Sequence, residues 1–159
     1  MATSARQWDR NQKRDMKLRH VLFALTIGNA QAANPLEIPD EHLQPVIEGF
    51  ISCYGTLNAL AEMFYEDSMS GTAEVARSNA RGSKISAQWL MSMRDGATKT
   101  LDEYNQYVDS ASYGSYYKMT MALENNDKEM QSLMIDICHA LNPMQVLIEQ
   151  DIREQSYLK

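Results

Sequence analysis

Two residue types in this chain are placed so that they could do chemistry. The first is cysteine. Cys53 and Cys138 are the only two present, 85 residues apart. In a reducing cytosol they would be two buried thiols. In an oxidising compartment an even count with no third cysteine points to one disulfide. The spacing does not suit a Cys-x-x-Cys redox pair or a zinc knuckle. A bridge closing so long a loop is worth about 4–5 kcal/mol in the chain-entropy view. Domains are stable by only about 5–15 kcal/mol, so such a bridge is a large share of the total.

The second is tyrosine. Tyr104, Tyr107, Tyr113, Tyr116 and Tyr117 crowd into one short stretch, and not all of them can face the inside of a helical protein. Tyrosine is favoured in recognition surfaces because it offers area, rigidity and a polar tip. The plain expectation is that two or three of them pack and the rest bond at the rim. The functional expectation is a contact surface for a protein or small ligand, with Tyr113, Tyr116 and Tyr117 the first positions to mutate.

Other candidates carry less. Asp136-x-x-His139 puts a carboxylate and an imidazole on one helical face, the spacing used in di-metal bundles. Such sites need a second pair, which the sequence lacks. His139 reads instead as a boundary residue near a helix C-terminus, where a positive charge is favourable. The Cys-x-x-Cys-His pattern of covalent haem attachment is missing. So are a Gly-x-Ser-x-Gly elbow and a glycine-rich phosphate loop. The methionines follow helical spacing and read as core filling. The expectation is a non-enzymatic protein with no catalytic residue, metal or cofactor.

The elements that must position these residues are helices. Glycine (7) and proline (4) are scarce and methionine (11) is abundant, which favours helix over strand. No strand-like alternation with hairpin turns occurs. The spacing predicts an all-α bundle or irregular array of about five to six helices. The first runs from about Asp40 or Leu43 to about Asp67. Leu43, Val46, Ile47, Phe50, Tyr54, Leu57, Ala61 and Phe64 give it one apolar stripe. Pro45 must lie in or near its first turn. A second runs from Ser70 to before Gly96, with Val75, Ile85, Trp89 and Met93 inward. Its small residues near Gly82 mean either close helix approach or a break. A third opens at the capping box Thr100-x-x-Glu103 and buries Leu101, Tyr104 and Val108. Gly114 ends it, and a short helix then carries Tyr117 and Met121. Asn125-Asn126-Asp127 signals a turn and N-cap before a helix with Met130, Leu133, Met134, Ile137, Cys138 and Leu141 on one stripe. Asn142-Pro143 reads as the start of a last helix with Val146, Leu147 and Ile152 inward. If the disulfide forms, the first and penultimate of these helices are neighbours.

Charge divides the chain. Residues 1–20 carry six cations (Arg6, Arg10, Lys13, Arg14, Lys17 and Arg19) against Asp9 and Asp15. That net +4 leaves −10 for the rest of a chain whose formal charge is −6. From Met16 the order is cationic (Lys17, Arg19), apolar (Val21 to Ile27), then small-x-small (Ala30-Gln31-Ala32). This is the pattern of an export signal cleaved after Ala32, with translation starting at Met16. Residues 1–32 are then an extension plus signal, and 33–159 the mature helical domain. The apolar stretch is too short to span a bilayer, which needs about 20 residues. Mean hydropathy of −0.45 also argues against an integral membrane protein.

Two rival readings concern the same segment. Residues 5–33 could be an amphipathic helix of a cytoplasmic protein. Or residues 6–19 could be a retained basic arm of a cytoplasmic adaptor that contacts nucleic acid or anionic lipid. The Ala30-x-Ala32 ending favours export, since neither rival needs small residues there. The expectation is therefore a periplasmic or secreted acidic protein with no membrane span once cleaved. It binds a protein or small ligand and not nucleic acid. Its charge would steer it to a basic partner, and an inhibitor or immunity-type role against an enzyme is one concrete form.

Overall fold

The computed structural model describes residues 38–157. The export segment, with Ala30, Ala32 and the alternative start at Met16, lies outside the described residues. Among the described residues four long helices make up the fold: α1 (Asp40–Glu66), α2 (Ser70–Arg94), α3 (Leu101–Glu124) and α4 (Lys128–Tyr157). None of them is long and apolar enough to cross a membrane. Among the described residues there is no strand.

The chain turns back between helices by one recurring device. Ser68, Ala97 and Asn126 adopt left-handed backbone. The next or same amide then bonds back five residues, from Met69 to Phe64, Ala97 to Ser92 and Asp127 to Ala122. These bonds satisfy carbonyls that a helix end leaves open. Gly96, also left-handed at φ 63°, shares the α2–α3 connection with Ala97. Downstream, Thr100 and Glu103 form the expected reciprocal capping box at the start of α3. Asp127 Oδ1 accepts from the Met130 amide at 3.0 Å and caps α4.

α1 is the hub and packs against all three other helices. It is the most apolar helix, and Val46, Ile47 and Phe50 are fully buried. Ala59 and Leu60 join Met119 and Met134 in a cluster further along the bundle. Pro45 sits in the second turn of α1, where it forgoes one helical hydrogen bond.

The expected five to six helices become four, for two reasons. Gly114 does not end α3. Its side-chain position is open space, and α3 runs through it with Tyr104, Val108, Met119 and Ala122 buried on one side. Pro143 does not start a new helix either; it lies inside α4. Met134, Ile137, Leu141, Gln145 and Ile148 continue one buried line across it at spacings of three and four. That line outweighs a missing N–H at one position.

Several inward expectations are also corrected. On α2 the buried face is Ala73, Ala76, Ala80, Ser83 and Ala87, followed by Leu90 and Met91. Val75, Ile85 and Met93 are exposed. Small residues let α1 approach closely, so the large side chains of α1 fill the interface and α2 need not supply its own. Leu101 precedes the packed part of α3 and is exposed. Val146 and Leu147 flank the buried line of α4 and are exposed too, while Gln145 and Ile148 take the inner positions. His139 is not near a helix end, because α4 continues to Tyr157.

Candidate functional site

The cysteines come first, because they join two helices. Cys53 is buried on α1 and Cys138 half-buried on α4. Their sulfurs are at bonding distance and their Cα atoms 5.3 Å apart, inside the range a disulfide spans without backbone movement. This places α1 beside the helix that carries Cys138, as the spacing implied.

The tyrosines divide. Tyr104 is 4% exposed, and its hydroxyl has no hydrogen-bond partner among the described residues. Tyr107 lies on the outside. Tyr113 and Tyr117 are 67% and 56% exposed. Tyr116 is half-buried, and its hydroxyl donates to Glu62 Oε2 on α1. So two pack and three stay out. The reason is geometric. Tyr104, Val108, Ser112, Met119 and Ala122 define the buried side of α3. At 100° per residue, positions 113 and 117 must then fall on the far side, one turn apart. Met121 continues the row and is partly exposed.

The row has a firm base. Along the α1–α3 contact, Gly55 lies against the α3 backbone at Ser112 and Tyr116. Ser52 and Ser115 share a hydroxyl–hydroxyl hydrogen bond of 2.9 Å. The Tyr116–Glu62 bond completes the contact. The ring of Tyr113 stacks on that of Tyr116, with centroids 6.2 Å apart and planes 23° from parallel. The hydrogen bond to Glu62 is the main cause that raises the Tyr116 hydroxyl above its ordinary pKa; burial and then the Glu62 charge add to the rise. Glu62 is the residue that sequence reasoning missed. Nothing local marks it, since its partner lies 54 residues away.

A second polar group lies one turn before Tyr113 on α3, at Asp109. Lys84 of α2 bonds Asp109 at 2.7 Å and lies 5.3 Å from the ring of Tyr54. Burial raises the Tyr54 hydroxyl, and the Lys84 charge opposes that rise. Asp136 and His139 are both exposed on α4. Among the described residues no three His, Cys, Asp or Glu side chains gather as a metal site.

The α3 face thus presents aromatic rings, phenol hydroxyls and a carboxylate, which are groups suited to binding. Compared with known family models, curated proteins and solved structures, the chain shows no significant match to any of them.

Proposed function

We propose that this chain is an exported, non-enzymatic binding protein that meets a basic protein partner through the exposed tyrosine row of α3. The observation that carries the reading is the pair Tyr113 and Tyr117. Both are more than half exposed, one turn apart, on a helix anchored to the hub of the bundle. Large aromatic side chains held rigidly at a surface lose little entropy on binding, which is why such positions dominate interfaces. The charge of −10 outside residues 1–20 would draw a basic partner at long range. Export is supported by the Lys17-to-Ala32 pattern and by a cysteine pair at disulfide distance.

The test is the intact mass of the protein recovered from its native host. The expected mass begins at Ala33 and is short by two hydrogens for the oxidised pair. A protein that retains residues 1–32 with both thiols free sinks the export reading and favours a cytoplasmic adaptor.

A further inference from the structure

Among the described residues, three tyrosine rings each carry a cation from the chain itself. Lys84 Nζ lies 5.3 Å from the Tyr54 centroid, the Arg77 guanidinium carbon 5.4 Å from that of Tyr65, and Lys99 Nζ 6.0 Å from that of Tyr104. In two of the three a carboxylate holds the same cation. Asp109 is 2.7 Å from Lys84 and Asp95 is 3.3 Å from Lys99. The recurring unit is therefore a phenol ring, a carboxylate and a cation close to both. Attraction of a cation to the ring quadrupole and to the carboxylate acts in the same direction.

The α3 face repeats the first two parts of this unit. Tyr113 and Tyr116 are stacked, and Tyr116 is tied to Glu62. That bond uses Oε2 of the carboxylate, which leaves Oε1 for a donor from outside. Glu62 and Tyr113 are both exposed, so a side chain from another molecule can reach them together. Tyr117 stands one turn further along the same row.

We propose that Tyr113, Tyr116 and Glu62 form a slot for an arginine side chain of a basic protein partner. A guanidinium suits it better than an ammonium. Its planar face can lie on the exposed ring of Tyr113 while its N–H groups bond the Glu62 carboxylate. The acidic body adds long-range attraction without supplying the specificity. This deepens the binding role proposed above and rests on it.

The probe is a fluorescent nona-arginine peptide, with a nona-citrulline peptide of the same shape and no charge as its control. Both are titrated into the full-length oxidised protein at about 150 mM salt, where surface charges separated by more than about 8 Å are largely screened. Nona-arginine binds and nona-citrulline does not. Tyr113→Leu and Glu62→Gln each weaken nona-arginine about two- to fivefold, the range for an exposed cation–ring or ion-pair contact. Tyr113→Phe keeps the ring and binds as the parent does. Glu41→Gln, on the first turn of α1 and about 30 Å along the helix from Glu62, also binds as the parent does. No binding of nona-arginine, or full binding by Tyr113→Leu or by Glu62→Gln, overturns the slot. So does an equal loss in Glu41→Gln, which would reduce the effect to net charge. A protein cleaved after Ala32 and oxidised that ignores nona-arginine would sink the slot and leave the exported binding role standing. Retention of residues 1–32 with the slot intact would do the reverse.

Discussion

Gly55 of α1 lies so close to Ser112 of α3 that a Cβ on Gly55 would overlap the Ser112 carbonyl oxygen. It would also stand 2.8 Å from the Tyr116 amide nitrogen. Both obstacles are backbone, which cannot swing aside as a side-chain tip can. This contact sets the separation of the two helices and with it the reach from Glu62 to Tyr116. Gly55→Ala should therefore cost about 1–3 kcal/mol of stability, the usual range for overpacking. Gly114→Ala, in the middle of α3 with open space around it, should gain about 0.5–1 kcal/mol from helix propensity alone. Urea unfolding of the two variants checks the contrast. Equal effects of one sign would show that the close approach is unimportant.

The Cys53–Cys138 pairing joins α1 to α4 across 85 residues. Removing the bridge from the oxidised protein should lower stability by about 4–5 kcal/mol, most of it through a freer unfolded chain. The double variant Cys53→Ser, Cys138→Ser should match the reduced parent in midpoint, and added thiol should then change nothing. A parent protein whose unfolding midpoint is indifferent to thiol would show that the bridge is not formed.

Asp95 ties the end of α2 to the connection that leads into α3. Its carboxylate takes a 2.7 Å hydrogen bond from Arg94 Nε and lies 3.3 Å from Lys99 Nζ. The Arg94 bond is the main cause of a carboxyl held down from 3.8 to about 2; burial opposes it and Lys99 reinforces it. The folded protein thus binds this proton more weakly than the unfolded chain does. The stabilisation is present in full above about pH 4 and is lost as pH falls through about 2. The stability gap between the parent and Asp95→Asn should close over that window in urea titrations run at several pH values. A gap that stays constant to pH 2 would refute the assignment.

Thr100 accepts from the Glu103 amide at 3.3 Å, and its own amide donates to Glu103 Oε2 at 2.8 Å. The Thr100 amide, and then the Thr100 hydroxyl donating to the same Oε2 at 2.9 Å, hold the Glu103 carboxyl below its ordinary pKa. Thr100→Ala should cost about 1 kcal/mol, the usual loss for an N-cap. Helical content and midpoint by circular dichroism provide the check, and an unchanged midpoint counts against the cap.

By itself the sequence determined what depends on a few neighbouring residues. Helix α1 runs from Asp40 to Glu66 as the spacing of its apolar residues implied. The Thr100–Glu103 cap and the Asn125-to-Asp127 turn lie where their residue types placed them. The two cysteines had only each other to pair with. Tertiary structure decided the rest. Whether Pro143 breaks a helix depends on whether Leu141 and Ile148 share a buried line, and that line is defined by the helices opposite. Ala73, Ala76, Ala80 and Ala87 form the inner face of α2 because α1 supplies the volume, and hydropathy along α2 alone selects Val75 and Ile85 instead. Glu62 meets Tyr116 only because Gly55 lets two helices touch. Caps, turns and stripes are local bargains between adjacent residues, whereas helix separation and the identity of a surface depend on shapes brought together from distant parts of the chain.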